Sequence, residues 1–464
     1  MNRLLAALLL AASLRAQEPT RPNVLVLVSD DQRADTIGAL GNAVIRTPHL
    51  DSLVREGTAF TRAYCMGSTE PAVCVPSRAM FLSGRSLFRV GIRLPEPVAL
   101  WPKAMEQAGY STYGTGKWHN TPPSFARAFS SGGPVFFGGM GNQFKVQVQD
   151  FDPAGKYGKD RQRVGEKFSS ELFADAAVTF LGEHKGGKPF FLYVAFTAPH
   201  DPRTPPGEYA SMYDPARMPL PGNFLPKHPF NNGEMTVRDE KLLPWPRTPE
   251  AVRKEIADYF GMITHMDAQI GRILKALDDS GRRKDTLVVF FSDHGLSLGS
   301  HGLLGKQNLY EHSMRAPLLL SGPGVPRGAT SDAFCYLYDV FPTVCSLAGV
   351  PVPEGVEGRS LGPVLAGKEK KSRDAIFCAY RDVQRSVRNE RWKLLRYPQI
   401  NTSQLFDLSE DPDEMRDLAA DPAQTVRLRE MTALLDAEQK RAGDTLPLST
   451  DRPQPLQVEL PPGK

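Results

Sequence analysis

A chain of 464 residues with a formal net charge of +4 is long enough for one large domain with a smaller one appended. So balanced a charge argues against a partner held by bulk electrostatics, such as nucleic acid, and leaves any preference for anions to local groups. With a core of this size, disulfides among the five cysteines are optional.

The chain opens with a basic residue, Arg3, an apolar stretch over 4–12 and a small residue, Ala16, suited to cleavage. That stretch is too short to span a bilayer, so residues 1–16 read as a secretory signal and not as a membrane anchor. The mature chain is expected in the periplasm or outside the cell. There Cys65, Cys335, Cys345 and Cys378 could pair in three ways, among which the sequence does not choose.

Asn23–Ser29 is an apolar, β-branched run of the kind buried in parallel sheets, and Asp30-Asp31-Gln32 follows it at the carboxyl edge. Open α/β sheets bind their ligands at that edge. Residues 50–57 read as a short helix stopped by Gly57, and 58–65 as a strand. Then comes Cys74-Val75-Pro76-Ser77-Arg78, where Pro76 suits the first position of a helix continued by residues 79–82. A side chain at 74 would face unpaired backbone N–H groups, and Arg78, one turn on, adds a permanent cation on the same face.

Two more apolar strands end in polar runs: residues 110–113 lead into Gly114-Thr115-Gly116-Lys117-Trp118-His119, and 190–196 lead to Pro199-His200-Asp201-Pro202. A proline-rich stretch from 200 to 250 has little periodicity and begins at His200, which favours a pocket wall over disorder. Residues 251–280 carry apolar side chains at helical spacing and predict a long amphipathic helix. Thr286–Ser292 repeats the pattern of the first strand and ends in Asp293-His294-Gly295; the loop His301-Gly302-Leu303-Leu304-Gly305-Lys306 follows shortly. Two buried strands that deliver carboxylates to one sheet edge suggest a divalent cation site, and oxygen-rich ligands suit Ca²⁺ or Mg²⁺. Beyond a charged linker at 367–371, strands at 375–380, 384–388 and 392–397 and a helix near 425–441 predict a small antiparallel sheet with a helix.

The Cys74–Arg78 pentapeptide, with Ser83-Gly84-Arg85 after it, resembles the signature of type I sulfatases, formylglycine-dependent enzymes of the alkaline phosphatase superfamily. The runs at 30–31, 114–119, 199–202, 293–294 and 301–306 match that family in order. The resemblance extends from about Pro22 past Asn401. It departs where Asn120 follows His119, a position at which relatives often carry glycine, and where His294 stands in place of a common asparagine.

The resemblance implies an alkaline phosphatase-like α/β sandwich with a mostly parallel central sheet flanked by helices, over residues 17–367, and a C-terminal α+β subdomain from 368 to 464. It implies an exported, calcium-dependent sulfuric ester hydrolase. Cys74 would be converted to Cα-formylglycine by a maturating, formylglycine-generating enzyme. One Ca²⁺ would be held by Asp30, Asp31, Asp293 and His294. Arg78 and Lys117 would hold the nucleophile end, His200 with Lys306 would serve the leaving alcohol and sulfate oxygens, and His119 would take a proton when sulfate is expelled. The substrate expected is a sulfated saccharide, with choline sulfate or an aryl sulfate as weaker options, and neither nucleic acid nor a membrane as partner. A phosphate or phosphonate ester hydrolase shares this superfamily core. An inactive sugar-binding relative is a further class, but it should have lost some of Cys74, Asp30, Asp293 or Lys306, all of which are present.

Overall fold

The computed structural model describes residues 21–460; the 1–16 segment read as a secretory signal lies outside them. A nine-stranded sheet forms the centre. Its strands run in the order Ala329–Ser331, Gly57–Tyr64, Arg315–Ser321, Thr286–Ser292, Asn23–Ser29, Phe190–Ala195, Ser111–Lys117 and Ser131–Phe136, with Cys335–Tyr336 also paired to Gly57–Tyr64. Neighbours are parallel except at Arg315–Ser321, which is antiparallel to both of its partners.

Asn23–Ser29 lies between Phe190–Ala195 and Thr286–Ser292, and every residue of the three strands is buried. Helices cover both faces, so the strands carry continuous apolar runs instead of alternation. Val24, Val26 and Val28 face a core with Phe81, Trp101 and Phe291; Leu25 and Leu27 face Met262, Ile270 and Phe173 on the other side. The long helix, Pro249–Asp279, begins where Thr248 accepts a hydrogen bond from Ala251 N and Pro249 takes the first turn. Among the described residues no helix is long and apolar enough to cross a membrane.

A second sheet has five strands, Thr402–Asp407, Trp392–Tyr397, Gln384–Arg388, Ile376–Tyr380 and Gly67–Ser68, with helix Thr425–Ala442 against it. The first and last of these strands escaped the sequence reading. Gly67–Ser68 comes from the segment just before Cys74 and pairs in parallel with Ile376–Tyr380. The strand expected to stop at residue 113 continues to Lys117 through both glycines. Gly116 is what permits it: at φ +97°, a Cβ there would lie 1.9 Å from the Ala195 carbonyl oxygen. Helix Cys74–Ser83 starts two residues ahead of Pro76, so the proline is its third residue and not its first.

Candidate active site

Register sets the site. Ser29 pairs with Ser292, so Asp30 and Asp31 leave the sheet at the same level as Asp293. Asp31 sits at φ +68°, a left-handed conformation that costs a non-glycine residue about 1 kcal/mol and that aspartate tolerates better than most. The turn is held by the Tyr259 hydroxyl, which donates to the Asp31 carbonyl at 2.6 Å and accepts from Arg33 N at 2.8 Å. Asp31 N also donates to Asp293 Oδ1 at 3.1 Å, and Gln32 N to Ser292 Oγ at 2.8 Å.

Helix Cys74–Ser83 points its start at these acids. Ser77 Oγ donates to the Asp293 carbonyl at 2.6 Å. Arg78, fully buried, donates from Nε to Asp293 Oδ2 at 3.2 Å and from Nη1 to the Lys117 carbonyl at 3.0 Å, and its Nη2 lies 3.6 Å from Asp30 Oδ1. Cys74 Sγ is 4.0 Å from Asp31 Oδ1. Burial by itself raises the Cys74 thiol, but Lys117, Lys306 and His294 more than reverse this and leave it well below the ordinary thiol range. The environment at residue 74 therefore favours an anion.

The lysines close the cluster from two sides. Lys117 donates to Asp30 Oδ2 and to the Gly139 carbonyl. Lys306 Nζ reaches both Asp31 oxygens, at 2.9 and 2.8 Å, and His200 Nε2 at 3.0 Å. His200 Nδ1 donates to the Asp201 carbonyl at 2.9 Å, which fixes its tautomer and turns Nε2 toward Lys306. Burial lowers the His200 ring, yet Asp31, Asp30 and Cys74 together outweigh it and the group is raised to about 9. His119, at φ +52°, is lowered to about 4 by burial first and by Lys117 and Arg78, against the raising effect of Cys74. The two rings are thus pushed in opposite directions, His200 toward the protonated form and His119 toward the neutral one.

The donor set fits a hard cation. Asp30 Oδ1 and His294 Nε2 are buried with no hydrogen-bond partner. His294 Nδ1 donates to the Gly295 carbonyl at 2.9 Å, leaving Nε2 aimed at Asp31 Oδ1 and Asp293 Oδ1, 3.5 and 3.8 Å away. A backbone carbonyl that accepts from the far nitrogen is how ligating imidazoles are oriented. Ligand atoms of Asp31, Cys74 and His294, and of Asp30, Cys74 and Asp293, lie within 4.8 Å of one another.

Every site residue marked from sequence lies in or beside this cluster. Its supports were not legible there. Arg238 holds the Asp201 carboxylate through both terminal nitrogens, and Gln307 Nε2 holds Asp239 at 2.9 Å, beside Lys306. Glu240, buried against Arg247, accepts from Leu304 N and Gly305 N and so fixes the backbone leading into Lys306. Asp239 and Glu240 come from the proline-rich stretch, where no spacing marks them; Asp201 belongs to the 199–202 run. His301 is structural: its ring stacks on Tyr310 at 3.8 Å and bonds His312 and the Glu414 carbonyl.

Comparison with known proteins gives two family matches: the sulfatase model over residues 22–350 and the N-sulphoglucosamine sulphohydrolase C-terminal model over 299–441. An arylsulfatase of Clostridium perfringens is 29% identical over 440 residues, covering 86% of this chain and 90% of the relative. An N-acetylglucosamine-6-O-sulfatase of Bacteroides thetaiotaomicron is 26% identical over 523 residues, covering 96% and 91%. A protein solved in complex with its substrate D-glucosamine-2-N,6-O-disulfate shares the fold, with a TM-score of 0.78 at 23% identity over 92% of this chain and 99% of that one.

Proposed function

This chain belongs to the sulfatase family and is a sulfuric ester hydrolase, and from that premise we propose that it is an exported enzyme that desulfates carbohydrates with a nucleophile derived from Cys74. The observation that carries the reading is the anion-favouring environment at residue 74, set against a carboxylate cluster that fits a cation. The sugar assignment draws support from the relative that acts on N-acetylglucosamine 6-sulfate and from the disulfated glucosamine complex. In this reading residues 17–367 form the catalytic domain and 368–464 a C-terminal subdomain.

Asp30, Asp31, Asp293 and His294 would hold one Ca²⁺, which when bound supplies positive charge to a sulfate oxygen. Residue 74 as formylglycine, made by a maturating enzyme, would supply paired hydroxyls in place of a thiol. The remaining work belongs to side chains in place. Arg78 is locked by Asp293 and the Lys117 carbonyl, and holds the residue-74 end of the site in one orientation. Lys117 neutralises charge beside Asp30. His200, its ring fixed by Asp201 and its Nε2 paired with Lys306 Nζ, serves with that lysine as the proton source for the departing alcohol oxygen and steadies the sulfate oxygens. Neutral His119 accepts a proton at position 74 in the second half of the cycle.

Matched esters test the reaction class. Turnover of 4-nitrophenyl sulfate and N-acetylglucosamine 6-sulfate is expected to exceed that of the corresponding phosphate and phosphonate monoesters; the reverse order would replace the sulfatase reading with a phosphonate hydrolase. The two histidines should also separate. His200→Ala is expected to slow alkyl and sugar sulfates about 10²-fold or more while sparing activated aryl sulfates. His119→Ala should instead let sulfated enzyme accumulate, visible as an 80 Da adduct (about the mass of SO₃) on the residue-74 peptide. Equal losses on every leaving group in both variants would show the roles to be misassigned.

A further inference from the structure

Two buried carboxylates on the leaving-group side of the site share one arginine. Arg238 opens the short turn of helix Arg238–Leu242, and its side chain is 42% exposed, whereas those of the two acids it holds, Asp201 and Asp239, are 5% and 10% exposed. Its Nη1 donates to Asp201 Oδ1 at 2.9 Å and to Asp239 Oδ1 at 3.1 Å, and its Nη2 donates to Asp201 Oδ2. One guanidinium thus occupies both acids at once, as its planar fork allows.

Each acid stands beside a group assigned to the departing alcohol. Asp201 Oδ1 is 3.3 Å from His200 Nδ1, the nitrogen that donates to the Asp201 carbonyl at 2.9 Å. Asp239 Oδ2 is 3.9 Å from Lys306 Nζ, which bonds both Asp31 oxygens and His200 Nε2. A buried carboxylate stripped of its guanidinium has to find another donor, and these two are within reach. Asp201 would then turn the His200 ring, and Asp239 would draw the Lys306 ammonium off Asp31. We propose that Arg238 is a positioning residue for the departure of the alcohol: by holding Asp201 and Asp239 it keeps both carboxylates off His200 and Lys306, whose Nε2 and Nζ stay paired and turned to the leaving oxygen. This rests on the roles given to His200 and Lys306 in the sulfatase reading above, and adds the group that keeps them in place.

The test compares the mature, metal-loaded wild type with Arg238→Gln and Arg238→Lys on 4-nitrophenyl sulfate, whose leaving group departs without a proton, and on N-acetylglucosamine 6-sulfate, whose alcohol needs one. Arg238→Gln is expected to lower kcat on the sugar sulfate about tenfold to a hundredfold with KM changed less than about threefold, and to slow the aryl sulfate less than about threefold. Lysine keeps the charge but not the fork, so Arg238→Lys should show the same selectivity with a smaller fall; it carries the comparison if Arg238→Gln does not fold. Adding Asp239→Asn to Arg238→Gln should recover part of the loss, because it neutralises a freed acid. Equal falls on both esters, a loss carried by KM, no loss, or no recovery in the double variant overturns the proposal. His200→Ala on the same two esters separates the failures: selectivity there without selectivity in the Arg238 variants overturns the role of Arg238 alone, whereas equal falls in His200→Ala overturn the role of His200 and the proposal with it.

Discussion

Cys74→Ser is expected to fold normally and to lose steady-state turnover by about 10³-fold or more. Sulfur and oxygen differ little in size, and Sγ lies 4.0 Å from Asp31 Oδ1, so packing survives the exchange. The cations around residue 74 still favour an oxyanion there, and the serine can take sulfate once. It then stalls, because a serine ester has no second hydroxyl to collapse and expel the sulfate. The measurement is a burst of one equivalent of alcohol with no turnover after it, alongside mass spectrometry of the peptide spanning residues 65–85. Normal turnover from protein whose residue 74 is wholly cysteine or serine would be fatal to this mechanism, and would point to metal-activated water and phosphoester chemistry.

Asp31→Asn and Asp293→Asn should each abolish activity, by about 10³-fold or more, through loss of cation affinity at nearly constant volume. Their effects on stability should differ. Asparagine at 31 leaves the buried Lys306 ammonium without the carboxylate it holds at 2.8 Å, a loss of about 3 kcal/mol for a broken buried pair. At 293, Arg78 keeps Asp30 at 3.6 Å and the Lys117 carbonyl at 3.0 Å, so less stability is lost. Both variants should still unfold cooperatively, with Asp31→Asn melting lower, and both should bind less than one equivalent of calcium in a direct titration. Full activity without bound cation in either would sink the cation assignment.

What the sequence discloses and what it hides follow from the range of the forces involved. Apolar runs such as Asn23–Ser29 and Thr286–Ser292 announce buried strands, and the acids after them fall where a sheet edge puts them. The large sheet, the long helix and the cluster of reactive side chains were legible for this reason. A strand of two residues, Gly67–Ser68, has no period to detect. Glycine at 114 and 116 hid the end of the Ser111–Lys117 strand, because the residue that permits close strand approach is the one that propensity assigns to loops. Tyr259 lies 228 residues from the carbonyl that it steadies. Nothing local links them, and only the packing of the long helix against the first strand does so.

The pairing of Gly67–Ser68 with Ile376–Tyr380 also has a meaning in time. Cys378 Sγ meets the Cys65 carbonyl across 313 positions of chain. A ribosome adding about 5–20 residues per second needs some tens of seconds to cover that distance. Throughout that interval the Gly67–Ser68 stretch that leads into Cys74, a residue buried in the finished protein, lacks the strand it pairs with. Gly67–Ser68 thus gains its sheet partner only after most of the chain has been made.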